Sequence, residues 1–223
     1  MANNDSENQA DPDGGGVPPP AAVSFVTTEH FTLQGARSST IAEATGRASM
    51  FLGAVSGGLV GLGLVATATG VGPAFYAFGL ILLPTLAFVG VVTFDRTLQS
   101  GIEDYNYARR TARLRGYYFQ YAPELVDYLL SVPPAQRLNI QGLRGGPWQT
   151  FVTVAGMVSV VTAVLAGSAA GLLAAIVSGQ PLIAALVAGV LVAIAVLIVL
   201  MRRQTAAWQR ADKTPLFPDE QIS

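Results

Sequence analysis

The chain has 223 residues, 51% hydrophobic and only 12% charged, with a net charge of −1 and a mean hydropathy of +0.46. That balance excludes an ordinary water-soluble domain, where about a quarter of residues carry charge, and points to an integral membrane protein. Cysteine is absent, which excludes disulfides and thiolate metal sites, and the single histidine, His30, makes a poor metal site alone.

Residues 1–27 contain four acidic side chains, no basic one, a Gly run and a Pro run. Such a segment buries too little apolar surface to offset its ordering entropy and is expected to be an unstructured acidic tail. It lacks the basic-then-apolar order of a cleavable signal peptide, so the first span is expected to act as the insertion signal. Residues 28–47 carry modest helical periodicity. Thr40 and Glu43 fit a capping box, which predicts a helix starting there and running into the membrane.

Ala48 to Phe94 contains no Asp, Glu, Lys, Arg or His, and neither does Pro147 to Met201. One crossing takes about 20 apolar residues, so each tract holds two. The turn chemistry of TGVGPA (69–74) and SGQP (178–181) divides them into spans predicted at 48–69, 74–94, 150–177 and 181–201. In the first span Gly53, Gly57 and Gly61 fall four apart. Gly167 and Gly171 in the third and Gly189, between Ala185 and Ala193, in the fourth repeat the device. Small residues at that spacing let backbones approach closely, either inside one bundle or between copies of the chain. Pro84 is expected to kink or loosen the second span, with Thr85 or a neighbour meeting the freed carbonyl.

Residues 95–147 form the connector. A helix is expected to about residue 121, then a second, PELVDYLLS, and a loop, LRGGPW, back to the membrane. The first of these carries YARRTARLRGYYFQY, in which Arg109, Arg110, Arg113, Arg115, Tyr117 and Tyr121 are candidates to hold a lipid headgroup or a phosphorylated ligand. Glu103, Asp104, Glu124 and Asp127 in the same connector leave little positive excess, so nucleic acid is not an expected partner.

The thirteen Lys and Arg settle the threading. Two precede the first span, seven lie in the connector, four follow the last span, and neither predicted turn has any. Short cytoplasmic loops are the ones enriched in Lys and Arg, so both termini and the connector are expected in the cytoplasm of a bacterial plasma membrane. The predicted architecture is thus an all-α membrane protein. Four transmembrane helices form two hairpins (48–94 and 148–201) joined by a helical cytoplasmic connector, with a tail at 202–223.

Ion-coupled transporters, proton relays and voltage sensors place ionisable groups inside their spans, and these spans have none. A passive pore built from several copies stays open. No HExxH, GxSxG or phosphate-loop motif occurs, so no enzymatic activity, cofactor or metal is expected. The run EHFTLQGARSSTIAEATGRASMFLGAVSGGLVGLG, residues 29–63, resembles the start of uncharacterised multi-pass membrane proteins from actinobacteria, and the layout resembles four-span membrane effectors of bacterial conflict systems. The resemblance implies no activity and no site residues. The expected function is a non-enzymatic scaffold or effector that meets the bilayer, a cytoplasmic protein partner and further copies of itself, with a small oligomeric channel or permease as the rival reading.

Overall fold

The computed structural model describes residues 20–121, 153–179 and 182–217. They form four helices: α1 (Pro20–Thr69), α2 (Pro73–Tyr121), α3 (Val154–Val177) and α4 (Leu182–Lys213). All four are long and apolar enough to cross a membrane. The chain reverses between α1 and α2 at Gly70 and after α3 at Gly179, whose φ values of 70° and 67° lie in the left-handed region where a side chain would be strained. The second expected helix of the connector and its return loop lie outside the described residues.

Two expectations about α1 are corrected. The helix begins at Pro20, inside the segment 1–27 expected to be an unstructured tail, and it does not start at Thr40. The Thr40 hydroxyl donates to the Ala36 carbonyl 2.8 Å away, one turn back in an unbroken helix, so it caps nothing. Pro20 suits a first helical position because its missing N–H would have had no intrahelical partner. Pro84 sits within α2, and the Thr85 hydroxyl donates to Ile81, not to the Leu80 carbonyl that the proline leaves without its helical donor.

The helices lie side by side in chain order. α1 packs along α2, α2 along α3 and α3 along α4, while α1 meets α3 and α2 meets α4 only lightly. Packing therefore concentrates on α2 and α3. Phe51 and Val55 of α1, Leu83, Leu86 and Phe94 of α2, and Val158 and Leu165 of α3 form the core. Along the apolar stretch of α4 Leu182, Ile183, Leu186, Leu191 and Val199 stand exposed. A face this apolar is at home in hydrocarbon and not in water, which makes the chain a membrane protein.

Four hydroxyls within the spans are absorbed locally. Thr85, Thr93, Ser159 and Thr162 each donate to a carbonyl three or four residues back on their own helix. Thr153 differs: it caps α3 by accepting from Gly156 N at 3.0 Å and also accepts from Gln204 Nε2 of α4 at 2.9 Å.

Candidate functional site

α1 and α2 continue far beyond their apolar stretches. From Phe94 to Tyr121, α2 runs on for 27 residues, about 40 Å at 1.5 Å per residue. The 28 residues of α1 up to Arg47 run beside it. Cross-helix bonds tie this charged end together. Arg37 of α1 forms a two-pronged pair with Asp104 of α2, Nε to Oδ1 at 2.8 Å and Nη2 to Oδ2 at 3.2 Å. Arg203 of α4 reaches Asp95 of α2 at 3.2 Å. The Tyr105 hydroxyl donates to Asp212 at 2.8 Å, and its ring meets Trp208 edge-on at 5.7 Å.

Near the far tip, α1, α2 and the segment after α4 enclose a cleft. Val26, Glu29 and Leu33 face Arg110, Arg113 and Tyr117, and Phe217 closes the side. Spacings of three, four and seven place Arg110, Arg113, Leu114 and Tyr117 on one face of α2. The Arg113 guanidinium stacks 4.1 Å over the Phe217 ring, which holds a cation on an apolar floor. Arg109 stands at the cleft's edge, its Nη1 donating to the Thr214 carbonyl at 3.2 Å. Arg115, five residues from Arg110 and two from Arg113, falls on another face and does not line the cleft. Tyr121 is the last residue of α2, and its side chain lies outside the described ones.

The structure thus brings together Arg110, Arg113 and Tyr117, keeps Arg109 beside them and separates Arg115. Sequence reasoning missed Glu29, Leu33 and Phe217. The pairing of α1 with α2 reveals Glu29 and Leu33, for which the modest helical periodicity of residues 28–47 was a signal, and the segment after α4 brings in Phe217.

The glycines divide in the same way. A Cβ on Gly167 would lie 2.5 Å from the Gly189 carbonyl oxygen, and one on Gly171 would lie 3.0 Å from that of Ala185, so these three glycines form the α3–α4 seam. Gly61 rests against Phe78 of α2. Gly53 and Gly57 face outward, and a Cβ on either would meet nothing within 4 Å.

Tyr105 is the titrating reporter of this end. Burial raises its pKa above the ordinary 10.0, the hydrogen bond to Asp212 and that carboxylate's charge raise it further, and Arg109 pulls it back. A raised folded value means that the neutral phenol favours the folded state. This contribution is complete below pH 10 and is lost as pH climbs through the folded pKa. Asp212→Asn is expected to bring the Tyr105 phenolate transition down in pH but not to the ordinary value, because burial persists. The difference in 295 nm absorbance between protein with Tyr105 and its Tyr105→Phe variant measures it; an unchanged midpoint would remove Asp212 as a cause. Compared with protein-family models, curated proteins and solved structures, the chain matches none.

Proposed function

We propose that the chain is a non-enzymatic scaffold of a bacterial plasma membrane, threaded as two hairpins joined by a cytoplasmic connector with both termini inside. It would hold a basic, aromatic-lined cleft clear of the bilayer for a soluble anionic ligand or protein partner. The observation that carries this reading is the continuity of α2. The 22 residues from Pro73 to Phe94 rise about 33 Å, enough to cross the hydrocarbon. Arg110 and Tyr117 follow 16 and 23 residues later on the same unbroken helix, roughly 24 and 35 Å further along its axis. The screening length at physiological salt is about 8 Å, so headgroup charge is not felt there. This favours a soluble ligand over the lipid headgroup that the arginines alone suggested.

With no native cysteine, single labels test the standoff directly. A fluorophore on Arg96→Cys is expected to be strongly quenched by headgroup spin labels in nanodiscs, and one on Arg110→Cys to be nearly untouched. Equal quenching would lay α2 on the membrane surface and end the proposal. Reporters at residues 71 and 179 should read out on the external face.

The rival, an assembly of copies around a pore, draws on the outward face of α1, where Gly53 and Gly57 await a close neighbour. Gly57→Leu is expected to leave the fold intact and reduce self-association in mild detergent at least tenfold, as cross-linking or sedimentation would show. An unaltered oligomer would remove this face from consideration. Ion leakage from proteoliposomes that Gly57→Leu abolishes would favour the pore over the scaffold.

A further inference from the structure

Seven polar side chains are buried among the described residues, and four of them, Thr40, Thr97, Ser100 and Gln204, line a single cavity of about 240 Å³. It lies where α1, α2, the start of α3 and α4 converge, three to ten residues past Phe94 on α2, roughly 5–15 Å along the axis. This is the depth of the headgroup layer on the charged side. The cavity is separate from the cleft at the helix tips and shares none of its lining.

Buried polar groups with unused hydrogen-bonding capacity cost free energy, so a cavity lined by them suits a hydrogen-bonding guest. Gln204 is 1% exposed, and its Nε2 donates to the Thr153 hydroxyl oxygen. The Thr40 and Thr97 hydroxyl protons go to backbone carbonyls of their own helices, which leaves these oxygens as acceptors. The hydroxyl of Ser100, a residue 7% exposed, enters no side-chain hydrogen bond among the described residues. Among the described residues Asp104 supplies the one charge on the wall, and Arg37 neutralises it through both carboxylate oxygens. Each oxygen keeps a second lone pair for a donor. The Trp208 indole forms part of the wall.

A guest matched to the described lining must be uncharged, because a net charge would find no free counter-charge among the described residues and would lose its hydration. It must also donate and accept several hydrogen bonds at once, as adjacent hydroxyls do against carboxylate, amide and hydroxyl groups, while its C–H surface rests on an indole. The geometry points to a site for a neutral polyol, either the sugar or glycerol headgroup of a lipid or the same group free in solution. The mouth favours access from the membrane interface, since the lining residues Ile41 and Thr45 are exposed and α1 and α4 are not packed against each other among the described residues.

Trp148 and Trp208 are the chain's two tryptophans, so a Trp148→Phe background isolates the emission of Trp208. In nanodiscs of phosphatidylcholine, added monoglucosyl diacylglycerol is expected to shift that emission saturably, whereas phosphatidic acid, anionic and without a polyol, is not. Ser100→Leu, which fills the cavity, should abolish the response. Ser100→Ala, which keeps the space and removes one hydroxyl, should weaken it about 5–10-fold and serves if the leucine variant fails to fold. Free methyl glucoside distinguishes the two sources: a saturable shift assigns the site to a soluble polyol, and silence beside a responding glycolipid assigns it to the lipid. An equal response to phosphatidic acid would overturn the inference by making the site anionic. Silence toward both glucosides would overturn it by leaving water as the sole guest, and an unchanged response in both Ser100 variants would overturn the assignment to this cavity.

Discussion

Gly167→Leu is expected to separate α4 from α3 within the apolar tract and to cost about 3 kcal/mol or more. The collision is with backbone. A Cβ on Gly167 would lie 2.5 Å from the Gly189 carbonyl oxygen, 2.7 Å from the Ala193 Cβ and 3.2 Å from the Ala193 nitrogen. None of these can swing aside as a rotamer would, so the helices must part. Lipid offers no hydrophobic drive to bring them back, because association there rests on dispersion and weak Cα–H···O contacts, both of which fall off within an ångström or so of separation. Along this stretch α4 has no other close partner among the described residues: no residue of its most apolar window is fully buried, and it meets α2 only lightly. Gly53→Leu is the matched control, since its Cβ meets nothing within 4 Å, and it should stay within about 0.5 kcal/mol of the parent. Denaturant titrations in mixed micelles compare the three proteins. Should Gly167→Leu unfold with the midpoint of Gly53→Leu, the seam would not be what holds α4 in place.

The spans were readable because hydrocarbon admits few solutions. An uncharged tract interrupted by glycine and proline fixes where helices turn, and α1 ends at Thr69 and α3 at Val177, where the turn chemistry placed them. Azimuth was not readable. The spacing of Gly53, Gly57 and Gly61 shows that they share a broad face but not what that face meets, and the structure gives Gly61 to α2 while turning the other two outward. Continuation of α2 to about residue 121 was legible, and α2 ends at Tyr121, but how far α1 extends ahead of the membrane was hidden. Thr40 has the same letter whether it caps a new helix or bonds back to Ala36 inside an old one, and only the partner helix decides between them. That partner is α2, and the Arg37–Asp104 pair that joins the two spans 67 residues of sequence. Local pattern cannot register such a distance. Half of the candidate cleft was legible for the same reason: Arg110, Arg113 and Tyr117 lie on one helix, while Glu29, Leu33 and Phe217 come from elsewhere in the chain.

The crossing of α2 with α3 admits a sharper test, because its obstacle is a side chain that can be removed. A Cβ on Gly90 would run into Thr162 Oγ1, would lie 3.1 Å from the Thr162 Cβ, and would press within 2.9 Å of the Phe51 ring of α1. Neither neighbour has room to yield. Thr162 is fully buried, with its hydroxyl held at 2.7 Å by the Val158 carbonyl, and Phe51 is packed into the core. Gly90→Leu is therefore expected to cost about 3 kcal/mol or more, and Gly90→Ala about 1–3 kcal/mol. Thr162→Ala alone should cost about 1 kcal/mol, since it deletes a small packed group whose hydroxyl bonds only its own helix. Combined with Gly90→Ala it removes the colliding oxygen, so the double variant should be more stable than the sum of the singles by at least about 1 kcal/mol. The coupling separates a steric account from a general intolerance of α2 to substitution. Strict additivity in a double-mutant cycle would mean that the cost of Gly90→Ala arises elsewhere, in the ring of Phe51 or in the helix itself. A restored midpoint would place the three-helix junction of Gly90, Thr162 and Phe51 at the centre of what keeps the row of helices together.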